Sequence, residues 1–426
     1  MRNRSIGLVI VLVLACATPA VGSGFSVYEQ SAKASAQAGA WVARADDAAA
    51  NWYNPAALIR LDGTNLHFGA NWIPIGRDTS IATADLAYGL PMEMKFDAVT
   101  VNATPVNLYY TRRIYDWVAF GIGVTTPFGL ATEWEDRPIT FSSKRVELAT
   151  FVVNPNLAFK LDDRWSFAVG IDYLYADVRE FSREFDQSSF LELPPGTLVG
   201  LSDLTGTGDD WGWNLAFQFA TEDWKAGLTY RADLSPKIEG DVAFTGVHEA
   251  LAPYFPDGPG TTTLDLPAQA ALGVAYTGFE SWEIEFDVSW AQWSRFKTLA
   301  IDFENETPAV TDIVLPENWD DTYAFRLGAA WSLAERHELR FGAVMDQGPT
   351  PNETLRPSIP DADRIGVSVG YGFQGDNWAI DAYVMPLFFK DRDAFDGDPY
   401  DSPTGVVDGR YESSVNLFGV GVSWHF

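Results

Sequence analysis

Trp211-Gly212-Trp213-Asn214-Leu215-Ala216-Phe217-Gln218-Phe219-Ala220 alternates bulky apolar residues with small or polar ones. Trp165, Phe167, Val169, Ile171, Tyr173 and Tyr175 repeat the pattern, with Ser166, Ala168, Gly170 and Asp172 between them. A period of two puts one set of side chains on each face of a β-strand. A soluble sandwich packs its bulky face inward and leaves charge outside. Here the second face is small or wettable, which fits a transmembrane barrel with bulky residues toward lipid and small or polar ones toward a lumen.

The N-terminus agrees with export. Arg2 and Arg4 precede an apolar run from Ile6 to Ala17, then Ala20, Val21 and Gly22. This is the layout of a secretory signal over residues 1–22, with cleavage placed after Gly22. Cys16, the sole cysteine, lies inside it. A lipobox reading of Val13-Leu14-Ala15-Cys16 would leave the hydrophobic core short. The mature chain then has no thiol for disulfides, thiolate metal sites or nucleophilic catalysis. Beyond the signal, no stretch approaches the roughly 18–20 consecutive apolar residues of a membrane helix, so a closed barrel is the remaining way to span. Without the signal, 27 basic residues face 58 acidic ones, a net charge of −31 that argues against nucleic-acid binding. Aromatic residues make up 14% of the chain and sit in the alternating segments, often at their ends, as an interfacial girdle requires.

Fourteen segments read as strands: 64–75, 99–112, 117–126, 144–161, 164–182, 210–222, 224–238, 261–277, 281–301, 322–334, 336–346, 363–374, 377–390 and 411–426. An even number lets a single-chain barrel close with both ends on one side. Connections alternate in length. Asp162-Asp163, Glu222-Asp223, Gly278-Phe279-Glu280, Glu335-Arg336 and Gly375-Asp376 are tight turns, whereas 76–98, 127–143, 183–209, 239–260, 302–321, 347–362 and 391–410 read as long loops. Short periplasmic turns and long outer loops are the parity expected of such barrels. Residues 23–63 do not fit the scheme. Their alanine-rich stretch from Ser31 to Ala40 favours a short helix of small cross-section, and Asn54-Pro55 marks a turn. Placed before the first strand, the segment could lie on the periplasmic side or fold back into the lumen, and a 14-strand lumen is wide enough to need a plug, which makes folding back the reading expected.

At this point the chain resembles the long-chain fatty acid transporter (FadL) family of Gram-negative outer membranes. The resemblance is carried by Gly24-Phe25 with Glu29-Gln30-Ser31, by Ala45-Asp46-Asp47-Ala48 through Asn54-Pro55-Ala56, and by residues 123–133. Asp209-Asp210-Trp211-Gly212-Trp213-Asn214, Leu228-Thr229-Tyr230-Arg231 and residues 358–364 extend it. It implies a 14-stranded antiparallel barrel (64–426) with an N-terminal hatch (23–63), acting as a monomeric passive channel without cofactors. Its implied partners are hydrophobic small molecules and outer-membrane lipid. Long-chain fatty acids are the first substrate expected, and monoaromatic or other uncharged hydrocarbons the second.

The resemblance also implies site residues. Ligand would occupy an apolar lumenal pocket touched by the hatch, represented by Phe25 and by Asn54, Pro55 and Ala56. It would leave sideways where the third strand kinks, at Thr126, Pro127, Phe128 and Gly129. Proline lacks the ladder donor and glycine weakens a strand, so physics favours a break there too, although without the resemblance these residues read as the loop after the third strand. Basic residues near the ligand head group map onto Arg179 and onto Asp320. The acidic Asp320 would repel a carboxylate, which favours uncharged ligands.

Other signals point elsewhere. Gly366-Val367-Ser368-Val369-Gly370 matches the serine-hydrolase G-x-S-x-G pattern, but that motif needs a strand–turn–helix elbow and here lies in an alternating strand. Histidines occur only at 67, 248, 337 and 425, without metal-ligand spacing. An outer-membrane lipase and a general porin are the rival classes. Asp391, Asp393, Asp396 and Asp398 crowd one loop and could offer oxygens to Ca²⁺, although their spacing differs from the twelve-residue calcium loop. Asn54-Pro55-Ala56 also matches the aquaporin signature, which requires two copies on half-helices.

Overall fold

The computed structural model describes residues 24–76, 79–85, 92–394 and 407–426. The export signal with Cys16 lies outside the described residues, as do Asp396 and Asp398. Fourteen strands form the wall. They are β1 (Thr64–Ile75), β2 (Val106–Tyr115), β3 (Val118–Thr125), β4 (Arg145–Lys160), β5 (Trp165–Asp186), β6 (Val199–Ala220) and β7 (Trp224–Arg231). The second half comprises β8 (Gln269–Tyr276), β9 (Trp282–Ala291), β10 (Thr322–Ala334), β11 (His337–Asp346), β12 (Arg364–Gln374), β13 (Trp378–Phe389) and β14 (Ser414–His425). Each pairs antiparallel with its neighbours in sequence. The last returns to the first over Asn65↔His425 through Trp72↔Phe418, which closes the barrel. Closure leaves no edge to face lipid, the condition for strands to span a membrane. Thr64 and Phe426 exchange backbone hydrogen bonds of 3.0 and 2.8 Å, so the wall begins and ends on the tight-turn side.

The two faces divide as the alternation predicts. Trp211 is 65% exposed on the outside, whereas Ala216 is fully buried inside with Asn214 and Gln218. Beside the tight turns, aromatic side chains meet across strands: Trp165 with Phe219 at 4.8 Å, Trp224 with Tyr276 at 4.8 Å and Trp282 with Trp331 at 5.5 Å. That ring is the girdle of amphipathic rings expected at a membrane–water boundary.

The long-loop side differs from expectation. Residues 183–209 are mostly strand, because β5 and β6 each run for 22 residues and pair beyond the lipid-facing band, joined by a short 3₁₀ turn at Ser188–Leu191. The outer half of β6 lacks apolar alternation, so periodicity could not reveal it. Conversely, expected strands 224–238, 261–277 and 281–301 are each interrupted. Separate outer pieces at Lys237–Thr245, Gly258–Thr263 and Thr298–Phe303 continue the ladder above breaks near Pro236, Pro267 and the 3₁₀ turn Trp293–Arg295. A proline removes a ladder donor, which accounts for the first two breaks.

Residues 24–63 contact inward-facing groups of many strands. They hold two four-residue helices, α1 (Ala32–Ser35) and α2 (Ala50–Tyr53), and a 3₁₀ turn at Pro55–Arg60. On β9, Asp287 Oδ2 accepts the amides of Trp41 (2.8 Å) and Val42 (3.1 Å), and Glu285 Oε1 accepts that of Ala43 (2.6 Å). Arg44 completes the contact by pairing with Glu285 and Glu283, each at 3.0 Å. Opposite, Asn51 joins Asn154 and Asn156 of β4, which in turn bond Asn214 of β6. Most of these buried polar atoms satisfy one another, as interior polar groups must, Asp287 Oδ1 being the exception. Elsewhere the wall supplies glycine. A Cβ on Gly342 would lie 2.2 Å from the Gln37 carbonyl carbon, and one on Gly227 would lie 2.2 Å from the Val42 oxygen. Ser368, the serine of the hydrolase-like motif, donates to Ala36 O at 2.9 Å, so it is an anchor for this segment.

Gly342→Val should therefore loosen the segment without opening the barrel, at a cost of about 1–3 kcal/mol for overpacking. Limited proteolysis should cut residues 24–63 faster than in wild type, while heat-modifiable migration of the barrel stays unchanged.

Candidate functional site

The wall is interrupted at one of the predicted positions. β3 pairs with β4 as far as Thr125↔Val152, and pairing resumes only at Gly129↔Ala149 in the short strand Gly129–Glu133. Between them the chain turns to the N-terminal segment. Val27 N donates to Pro127 O (2.7 Å), Gly129 N to Phe25 O (3.0 Å) and Gln30 Nε2 to Thr126 O (3.1 Å). Thr126 N is received by Gln30 Oε1 at 3.2 Å, and Phe128 N by Thr150 Oγ1 at 3.1 Å. Pro127 has no N–H to lose, so the break leaves few groups to be re-satisfied. On the far side, Val101–Ala103 pairs with β1. Among the described residues no ladder joins it to Gly129–Glu133, although just before it Val99 N donates to Glu133 O at 2.8 Å.

Phe25 stands beside this break. Its ring meets Trp293 at 4.8 Å, Trp319 at 5.8 Å, Phe296 at 6.1 Å and Phe128 at 6.2 Å, mostly edge to face. Gly24 precedes it at φ +61°, where a Cβ would strike Trp319 at 2.7 Å. Its amide is held by Asp361 Oδ1 at 3.2 Å, and burial pushes that carboxyl up to about 6.

Phe25 lines an apolar cavity of about 950 Å³, open mouth included, together with Leu148, Val178, Ile238, Leu264 and Phe296. The lining includes no Lys, Arg or His among the described residues; its charged members are Asp241 and Glu317. Glu317 is buried, accepts Arg356 at 2.5 Å and Trp319 Nε1 at 3.1 Å, and is pushed up to about 7 by burial against the pull of Arg356. A neighbouring space shares Phe25, Leu130 and Ile359 with this cavity and reaches Gly129 at the break and Ile73 and Ile75 on β1. A third, more polar cavity of about 740 Å³ lies deeper, lined by Tyr28, Trp52, Arg231 and Arg326 among others.

Several expected site residues lie elsewhere. Arg179 sits at a bulge where Leu148 pairs with Val178 and Glu147 with Glu180. It shares its face with Asp177, pairs with Asp177 and Glu147 at 3.0 Å each, and is 48% exposed, while its neighbour Val178 turns into the cavity. Asp320 is exposed, and its loop instead directs Glu317 and Trp319 inward. Asn54 and Ala56 line neither cavity. Asn54 donates to Val42 O (2.7 Å) and Phe217 O (3.2 Å) and caps the 3₁₀ turn through Ala56 N (3.1 Å), which makes it a fastening for the segment. Pro55 borders the deeper cavity. Asp391 is paired with Arg410 at 2.5 Å, and among the described residues no cluster of potential metal ligands is found around it or Asp393.

Sequence reasoning missed Trp293, Phe296, Glu317 and Arg326. Arg326 carried a usable signal: it has the inward parity of Thr322, Ala324, Gly328 and Ala330 on an otherwise small-residue face.

The comparisons with known proteins accord with this geometry. Residues 13–426 match the family described as outer membrane protein transport protein (OMPP1/FadL/TodX). A putative outer membrane protein of Neisseria meningitidis is 27% identical over 98% of both chains. A long-chain fatty acid transport protein of Escherichia coli is 27% identical, covering 86% of this chain and 87% of its own. A solved FadL homologue of Pseudomonas aeruginosa superposes with a TM-score of 0.82 at 20% identity over 95% of this chain and all of that one. The toluene transporter of Pseudomonas putida superposes at 0.69, with 17% identity over 95% and 99%. The chain belongs to the OMPP1/FadL/TodX family of outer-membrane transport proteins, a family of channels and not of enzymes.

Proposed function

We propose that this protein is a monomeric, passive channel that binds hydrophobic compounds in the apolar cavity and releases them sideways into outer-membrane lipid. The observation that carries the reading is the continuity from the cavity past Phe25 and Leu130 to the break at residues 126–129. A hydrocarbon gains roughly 0.8 kcal/mol per buried methylene, so a route through water at the periplasmic mouth would be costly and a lateral route avoids it. Residues 24–63 act as the hatch that keeps the lumen closed to small solutes. Among substrates, long-chain fatty acids come first, supported by the Escherichia coli relative. Monoaromatic and other uncharged hydrocarbons are the second reading, favoured by a cavity lining without a basic residue.

Deleting residues 24–56 should leave a folded barrel, because the strand ladders that close the wall, β14 to β1 included, do not run through them and only residues 126–129 lose backbone partners. Planar-bilayer recordings should then show a stable ionic current absent from wild type; unchanged conductance would place the plug elsewhere.

Pro127→Val with Gly129→Val should favour a continuous third strand. A Cβ on Gly129 meets nothing nearer than 3.7 Å, so the change is sterically admissible. Uptake of a hydrophobic ligand by cells should fall sharply while binding to purified protein persists. Unaffected uptake with a closed wall would eliminate the lateral route.

Glu317 offers a pH test. As pH falls through about 7 its carboxyl takes up a proton, which removes one negative charge from the cavity wall. Oleate should bind more tightly at the lower pH, by up to about tenfold, while toluene binding stays level. Glu317→Gln should flatten the oleate profile.

A further inference from the structure

The deeper cavity holds a buried cation that makes no ion pair among the described residues. Arg326 on β10 is 5% exposed. Its guanidinium lies 4.0 Å from the centre of the Tyr28 ring, and Nη1 donates to Ser289 Oγ at 2.5 Å. Among the described residues no carboxylate oxygen lies within 4.0 Å of it. The neighbouring carboxylates stand off from it. Asp287 lies opposite Arg326 in the β9–β10 register, where its Oδ2 accepts the amides of Trp41 and Val42 and its Oδ1 has no hydrogen-bond partner, and the buried Glu29 is near but makes no ion pair with Arg326. Arg231, the other arginine of the cavity, is paired with Asp172 and stacked 4.1 Å over Trp52. Asp346, the acid of the lining, is paired with Arg364 at 2.9 Å.

A guanidinium presents five donors in a planar fork suited to a carboxylate. Burying one with a single hydroxyl acceptor and a ring face is unfavourable unless something else is there to receive it. The apolar cavity above shows the complementary defect, since it can hold a hydrocarbon chain but offers no cation to a head group. The backbone of Phe25 and Ser26 runs between the two spaces, Phe25 lining the upper and Ser26 the lower.

We propose that the deeper cavity is an anion subsite in which Arg326 receives the carboxylate of an amphipathic acid. This rests on the hydrophobic-channel reading and adds where charge is recognised. Because Tyr28 covers the same guanidinium, the arriving carboxylate competes with a residue of the hatch. Acids thereby engage the segment that closes the lumen, and hydrocarbons do not.

The test compares oleate with its uncharged isostere methyl oleate on the purified full-length protein, by titration in detergent above the pH at which Glu317 is protonated. Wild type should prefer oleate by about tenfold or more, the scale of one charge-assisted contact. Arg326→Gln should abolish that preference and leave methyl oleate affinity within about twofold, while Arg326→Lys should retain part of it. Heat-modifiable migration checks that each variant is folded, and the lysine variant carries the test should the glutamine variant fail to fold. Equal weakening of both ligands, or a preference that survives Arg326→Gln, overturns the proposal. Equal affinities in wild type also overturn it but leave the channel reading intact, whereas a wild type that binds neither ligand overturns the channel reading itself.

Discussion

A barrel in lipid must satisfy every wall amide and carbonyl from within, and this one leaves its ladder open at residues 126–128. The debt there is met by the N-terminal segment, through Phe25, Val27 and Gln30, and by the hydroxyl of Thr150. The break in the wall and the N-terminal segment are thus one hydrogen-bonded assembly. A polar group buried without a partner is expensive in such surroundings. Withdrawal of residues 25–30 would therefore press the third strand to pair with its neighbours, so the positions of the two elements are energetically linked.

The inward face of the wall does two different jobs by depth. In the middle, carboxylates and amides on β4, β6 and β9 grip the segment, and glycines let its backbone approach. Toward the long loops the same face becomes leucine, isoleucine and phenylalanine and encloses an apolar space. The change follows the strands themselves, since the outer halves of β4, β5 and β6 supply Val146, Leu148, Val178, Phe181 and Leu204, and the outer pieces add Ile238, Leu299 and Ile301. Interrupting a strand lets the outer piece be aimed differently from the inner one.

Most of the wall was legible because its signal is local: alternation in β5 and β6 declares both strand and facing, and tight turns set the count. The outer half of β6 was not, since residues such as Thr205, Gly206, Thr207 and Gly208 have no periodic contrast and owe their pairing to β5. Site residues were legible only where backbone chemistry marks them, as Pro127 does. Arg179 misled because it was placed from the resemblance alone: it continues the outward parity of Tyr173, Tyr175 and Asp177, and the bulge changes that parity only beyond it. Asp320 misled for a related reason: in a loop, chain position does not determine direction, and Glu317 and Trp319 turn in while Asp320 turns out. Phe25 needed the family resemblance, for a lone aromatic near an N-terminus says nothing about the four rings that surround it.

The glycines behind the segment bear on how such a sequence can drift. What a side chain at Gly342 or Gly227 would strike is main chain, the Gln37 carbonyl carbon and the Val42 oxygen. Trimming a side chain across the contact cannot make room for it, so substitutions at those wall positions have no reciprocal partner. The segment, by contrast, is received largely through atoms that every residue type carries. Its side chains are free to diversify wherever they do not touch the wall, while the glycines that receive it are not. Mutational tolerance in this protein is therefore divided unevenly between the N-terminal segment and the wall that receives it, with the stricter rule on the wall.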